Sequence, residues 1–263
     1  MRIRDATAVK YRESQHVITE LTMDKLRALR LEALAASWAE QQKDPEMQRL
    51  GFDERIGMLI DSQWLYRENK RLDRALKEAK LRISSACIEG IDYPPRRELE
   101  KATVRQLATC RWVGEHQNIV ITGATGTGKT YLACAIAHQA CRKGFRAIYR
   151  RATRLNDEFT LAHADGTYSN LLARFARADV LVIDDWGLAP PRDQERRDLL
   201  EIVEDRHGAR STILTSQVPT TKWHDHIGDP TVADAFCDRV LHGAHRLVLK
   251  GPSRRKEESE SEK

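Results

Sequence analysis

Eight consecutive residues, Gly123, Ala124, Thr125, Gly126, Thr127, Gly128, Lys129 and Thr130, fit the pattern G-x-x-x-x-G-K-[ST] in full. Each part of that pattern has a physical task. The glycines let the backbone wrap so that successive N–H groups point at phosphate oxygens, and a helix starting at the lysine adds the positive end of its dipole. Lys129 then reaches the β- and γ-phosphates, and the Thr130 hydroxyl is placed to ligate Mg²⁺. A chance lysine in a Gly-rich turn needs neither an apolar strand before it nor a helical pattern after it. Both are present here.

A companion follows at Val180-Leu-Val-Ile-Asp184-Asp185, an apolar run ending in two carboxylates. The carboxyl end of a parallel strand faces the ligand crevice. Asp184 is therefore expected behind the Mg²⁺, directly or through its water. Asp185 is expected to orient and deprotonate a water attacking the γ-phosphate. Ser216 and Gln217 stand at the end of another short strand, residues 212–215, where either could sense the γ-phosphate or the attacking water. Asp238-Arg239 ends a helical stretch, and Arg239 reads equally as a surface ion-pair partner or as an arginine supplied in trans to a transferring phosphoryl group.

These groups need elements to position them, and the chain supplies two kinds. Residues 1–22 are polar and read as a flexible arm. Over residues 23–42, Leu26, Leu29, Leu34 and Trp38 recur at helical spacing and predict one amphipathic helix. A longer helix is expected over 53–82, with Ile56, Leu59, Ile60 and Trp64 on its apolar face and the tryptophans as packing residues. Its second half carries Arg67, Lys70, Arg71, Arg74 and Lys77, spaced to share one face. That stripe is either a solvated surface or a neutraliser of DNA phosphates that reads no bases. Gly90 through Pro95 reads as a linker, closing an all-helical domain over 23–90.

Beyond it the pattern changes. Strands are expected at 118–122, 145–149, 180–183, 212–215 and 246–249, with helices between them at 129–142, 155–178, 194–206, 221–226 and 231–241. Such alternation implies a parallel sheet covered on both faces, here over a domain at 91–250, with a charged tail at 251–263.

Composition bounds the rest. The chain has 263 residues, with 44 Lys+Arg against 39 Asp+Glu for a net charge of +5. Residues 1–100 hold 19 basic and 18 acidic side chains and residues 101–263 hold 25 and 21, so charge permits nucleic-acid binding without establishing it. No apolar run reaches the ~18 residues of a membrane span, and the start lacks a signal peptide's apolar core. The five cysteines form no CxxC pair or zinc spacing and are expected as reduced thiols, with Cys134 and Cys141 packing from one helix. Together these features predict a cytoplasmic protein with no membrane partner.

The strings GATGTGKTYLACAIAHQAC, ADVLVIDDWGLAP, RRDLLEIVEDRHGARSTILTSQVP and WHDHIGDPTVADAFCDRVLHGAHRLVLKG together resemble the IstB-like family of AAA+ ATPases, bacterial transposition helpers. LRALRLEALAASW and GFDERIGMLIDSQWLYRENKRL extend the likeness toward the N-terminus, and the DnaC helicase loaders are similar at greater distance. The resemblance implies an α/β P-loop NTPase of AAA+ type, a parallel sheet flanked by helices with a small N-terminal all-helical domain. It implies an ATPase with ATP and Mg²⁺ as cofactors, assembling as a homo-oligomer with ATP at subunit interfaces. Such proteins assemble on double-stranded DNA with little sequence preference, deform it and recruit an IstA-type transposase. The alternative is a helicase loader acting in replication. Arg239 would be the finger reaching a neighbour's ATP. The sequence departs from the wider pattern after Leu249, where too few residues follow for a C-terminal lid domain, and Arg254 or Arg255 would stand in for a lid arginine.

Overall fold

The computed structural model describes residues 19–253. The arm expected at 1–22 falls mostly outside them, as does the charged tail from residue 254 onward with Arg254 and Arg255. The described chain forms two compact units that divide between Arg71 and Leu72.

The first unit is helical, but its first helix is two. Residues 19–28 are helical, a turn follows at Leu29 and Arg30, and a second helix runs Glu32–Lys43. The break is a Schellman closure: the Leu31 N–H donates to Leu26 O at 2.8 Å and the Arg30 N–H to Arg27 O at 2.9 Å. The closing position needs a left-handed backbone, and Arg30 adopts it with φ 57. Glycine usually fills that place, so an arginine leaves the sequence without punctuation and the helical spacing of leucines runs through it.

The long helix is observed at Phe52–Ala79. Its buried line in this unit passes through Leu59 and Gln63, while Ile60 is 56% and Trp64 65% exposed, so Trp64 is not the packing residue its spacing suggested. Gln63 is buried for a reason. Its Oε1 accepts from the Leu34 N–H at 3.1 Å, one of the donors that a helix start leaves without an internal partner. Gln41 is tied to the same helix, donating to Arg55 O at 3.2 Å and accepting from Arg55 Nε at 3.3 Å.

The second unit is built on five parallel strands: β1 Ile119–Gly123, β2 Ala147–Arg151, β3 Val180–Trp186, β4 Ser211–Ser216 and β5 His245–Leu249. Their order across the sheet is β2-β3-β4-β1-β5. Successive residues feed opposite cores. Ile119, Ile121, Val180 and Val182 pack with Leu132, Ile136 and Ala140 of the helix Lys129–Arg142. Val120, Leu181, Ile183 and Leu214 pack with Phe159, Phe175, Ile202 and Phe236 of the helices on the other face. Burial on both faces is why these strands read as continuous apolar runs.

The expected linker is not free. Ile91 and Arg97 are buried, and Ala79 and Ala86 have no exposed surface within the same core as Leu132. The end of the long helix and residues 80–100 therefore belong to the sheet unit. Two short helices missed by periodicity, Lys101–Ala108 and Arg111–Gly114, add Val104, Leu107, Trp112 and Val113 to that core. All five cysteines are free, and burial pushes the Cys134 and Cys141 thiols up to about 11, as suits packing residues. Among the described residues no helix is long and apolar enough to cross a membrane.

Arg206, at the end of the helix Asp193–Arg206, clasps the second core. It is 1% exposed and donates to Phe175 O at 2.5 Å, Ala178 O at 2.8 Å and Thr212 Oγ1 at 3.1 Å, and also to Ser211 O. Arg206→Met keeps the apolar stem but strands several buried acceptors, so urea unfolding should show a loss of about 3 kcal/mol or more. A variant within about 1 kcal/mol of the parent would contradict this role.

Candidate nucleotide site

The sheet order brings its carboxyl ends to one cleft. The loop after β1 meets the end of β3, and β4 lies between them. Within the loop, Gly126 has φ 84 and Gly128 φ 90, left-handed values that favour glycine. Gly123 is constrained further, because a Cβ there would stand 2.3 Å from Leu249 O. The loop is held by its own lysine: Lys129 Nζ donates to Gly123 O at 2.7 Å and Ala124 O at 2.8 Å, and Thr127 Oγ1 donates to Ala124 O at 2.9 Å. Burial pulls the Lys129 ammonium below its ordinary pKa, against the opposing pull of Asp185 and Asp184.

Asp184 is the centre of the site. It has no exposed surface, and a buried carboxylate persists only when its lone pairs are occupied. Three hydroxyls occupy them: Thr130 at 3.1 Å from Oδ1 and 3.0 Å from Oδ2, Tyr149 at 2.6 Å from Oδ2, and Thr215 at 2.6 Å from Oδ1. Burial and the bond to Asp184 push the Tyr149 hydroxyl far above its usual range, so it remains a donor.

Asp185 reaches the same cleft by an irregularity. In a regular strand it would face away from Asp184, but the register against β4 slips between Ile183 and Trp186, and Asp185 takes φ 57. Its N–H donates to Thr215 Oγ1 at 2.9 Å. Its Oδ2 pairs with Arg82 Nη1 at 3.3 Å and Arg151 Nη2 at 3.1 Å.

The cleft has a volume of about 430 Å³, with Thr125, Lys129, Thr130, Arg151, Asp185 and Gln217 among its walls. The two sensor candidates part here. Gln217 Oε1 accepts from Thr125 Oγ1 at 2.7 Å, so it touches the loop. Ser216 is fully buried, donating to Trp186 O at 2.9 Å and accepting from the Val218 N–H at 3.0 Å. Arg239 lies on the helix Pro230–Leu241, paired with Glu204 at 3.1 Å, and does not line its own chain's cleft. Arg67, Lys70, Arg71, Arg74 and Lys77 are all exposed, on the helix Phe52–Ala79.

The donor set fits Mg²⁺. The Thr130 hydroxyl and Asp184 carboxylate are hard oxygens, and among the described residues no cluster of three or more His, Cys, Asp or Glu is placed to hold a metal. That ion ordinarily takes few protein ligands and completes its shell with phosphate and water. The walls fit a nucleotide's phosphates as well: Arg151 Nε is buried at the cleft with no partner among the described residues. Tyr149, Thr215, Arg82 and Arg151 were not singled out from sequence. Tyr149 and Thr215 sit near the ends of recognisable strands beside the loop, which was a usable signal. The two arginines gave none.

The model of the IstB-like ATP binding proteins matches residues 24–262. The chain is 42% identical to the insertion-sequence ATP-binding protein y4pL of Sinorhizobium fredii over 235 residues, 89% of this chain and 96% of that protein. It is 44% identical to the ATP-binding protein of insertion sequence IS1162 of Pseudomonas fluorescens over 205 residues, 78% of this chain and 89% of that one. Among solved structures, the DnaC helicase loader aligns with TM-score 0.53 at 21% identity, over 63% of this chain and 97% of that chain. AMPPCP-bound DnaA from Aquifex aeolicus aligns with TM-score 0.56 at 20% identity, over 69% of this chain and 55% of that longer one. These two likenesses show the fold, a parallel sheet flanked by helices.

Thr215 bridges both acids, which yields a stability test. Thr215→Val keeps the shape but removes a donor to Asp184 and the acceptor for the Asp185 N–H. Chemical denaturation should show a loss of about 1–3 kcal/mol, largely recovered by Thr215→Ser. A valine variant as stable as the parent would mean that Asp184 does not depend on this hydroxyl.

Proposed function

Because this chain belongs to the family of IstB-like ATP-binding proteins, we propose that it is a Mg²⁺-dependent ATPase that assembles on double-stranded DNA, deforms it and recruits an IstA-type transposase during insertion-sequence transposition. The observation that carries the hydrolytic part is the Thr130–Asp184 pair at the mouth of the loop, with Asp185 beside it in the same cleft. The mobile-element setting rests on relatives named as insertion-sequence ATP-binding proteins.

In this reading residues 123–130 wrap the phosphates, and Lys129 exchanges its two loop carbonyls for phosphate oxygens. Thr130 and Asp184 are the residues that would hold Mg²⁺, and the chemistry it would supply there is neutralisation of phosphate charge. Gln217 contacts the γ-phosphate or the attacking water, while Ser216 braces the turn that presents it. Asp185 orients that water and accepts its proton as the new oxygen–phosphorus bond forms. The bond from the γ-phosphorus to the bridging oxygen breaks, and ADP leaves with the electron pair.

Arg239 acts on the ATP of a neighbouring subunit, in keeping with its place away from its own cleft. ATP at such an interface favours the assembled state by its differential affinity for it, and hydrolysis removes that bias. Arg67, Lys70, Arg71, Arg74 and Lys77 neutralise DNA phosphates, so binding is mainly electrostatic. Bending the duplex costs on the order of several kcal/mol per site, offset by contacts repeated along the assembly. A protein with this role acts where bacterial DNA lies, in the cytoplasm.

Three variants test this together. Asp185→Asn should bind ATP but lose about 100-fold or more of its turnover. Lys129→Ala and Arg239→Ala should each be inactive alone, and mixing them should restore measurable phosphate release, since a Lys129→Ala subunit still offers Arg239 to an intact loop. A mixture as inactive as its parts would remove Arg239 from the neighbour's site. Wild-type turnover in Asp185→Asn would remove Asp185 from the role of base.

A further inference from the structure

One oxygen of the Asp185 carboxylate, Oδ2, is shared by two guanidiniums, Arg82 Nη1 at 3.3 Å and Arg151 Nη2 at 3.1 Å. An oxygen held by both arginines is screened from water for as long as they hold it. The two arginines differ in origin. Arg151 closes β2, within the sheet. Arg82 comes from outside it, just after Lys80, whose left-handed backbone (φ 52) turns the chain at the end of the helix Phe52–Ala79.

The position of Arg82 is specific. Its Nη1 lies 3.8 Å from Asp184 Oδ2, the oxygen that also accepts from Thr130 at 3.0 Å. It thus stands beside the Thr130–Asp184 pair and lines the same walls as Lys129, the residue that would reach a terminal phosphate. Its side chain is 38% exposed, so changing partner requires no repacking of the core.

We propose that Arg82 reads the γ-phosphate from within its own chain: it pairs with Asp185 when no terminal phosphate is present and transfers to that phosphate when ATP binds, leaving Asp185 with Arg151 alone and its outer oxygen open to water. The proposal rests on the ATPase reading above. A terminal phosphate carries more negative charge than a carboxylate and matches the guanidinium fork, so it competes for the arginine. ADP offers no such group, and Arg82 remains on Asp185. Asp185 is then held by both arginines after turnover and by Arg151 alone when there is something to hydrolyse.

The discriminating experiment compares two nucleotides rather than two activities. AMPPCP and ADP, each with Mg²⁺, are titrated calorimetrically into the full chain as wild type, Arg82→Gln and Arg82→Lys. Arg82→Gln should bind AMPPCP about tenfold or more weakly, with ADP affinity unchanged. Arg82→Lys, which keeps the charge and guards against a misfolded glutamine variant, should recover part of the AMPPCP affinity. Equal losses for both nucleotides, as a merely structural role would give, or no loss for AMPPCP would overturn the proposal. A wild-type chain that binds neither nucleotide would overturn the ATPase reading beneath it instead.

Discussion

A carboxylate with no exposed surface must be surrounded by donors, and Asp184 imposes that requirement on three separate elements. Tyr149 comes from β2, Thr215 from β4 and Thr130 from the helix after β1, and each delivers a hydroxyl to it. Those elements can meet only because β3 lies between β2 and β4 and because β4 sets the spacing between β3 and the loop. Sheet order, loop and acid pair are thus one arrangement. The same hydroxyl that satisfies Asp184, that of Thr215, also receives the Asp185 N–H and so fixes the irregular turn of the second acid. An unusual backbone at Asp185 costs roughly 1–2 kcal/mol, and it persists because its neighbours hold it.

The apolar layers make that arrangement rigid. Alternate residues of β1 and β3 enter opposite cores, so neither strand can shift register without exposing both sets. Gly123 meets Leu249 O at the start of the loop, which ties the glycine-rich turn to β5. On the other face Arg206 gathers the backbone oxygens of Phe175, Ala178 and Ser211, where helix ends meet the start of β4. A stiff frame of this kind suits charge stabilisation, in which donors must already point where charge will develop.

Much of this was legible in the sequence because the informative signals are local. The loop motif is contiguous, and doubly buried strands appear as apolar runs, so all five strands and the helix after the loop fall close to where spacing puts them. What was hidden depends on exceptions or on distance. Arg30 closes a helix in a conformation normally given to glycine, so one helix was expected where two exist. Gln63 replaces an apolar residue on the buried line of the long helix because it satisfies a helix-end N–H, leaving Trp64 exposed. Gly90 through Pro95 carries the composition of a linker, yet Ile91 and Arg97 are buried against the sheet unit. Adjacent polar residues do not separate Ser216 from Gln217, whereas the turn buries one and sets the other against Thr125. Arg82 and Arg151 meet Asp185 only through the fold, and no spacing announces them.

The central claim is that ATP in this cleft governs assembly on duplex DNA. The direct measurement is fluorescence anisotropy of a long random-sequence duplex and of a matched single strand, titrated with the full chain under ATP, ADP and no nucleotide at two salt concentrations. The account predicts cooperative binding to the duplex that requires ATP and weakens steeply with salt. Binding indifferent to nucleotide, or a preference for the single strand, would contradict it.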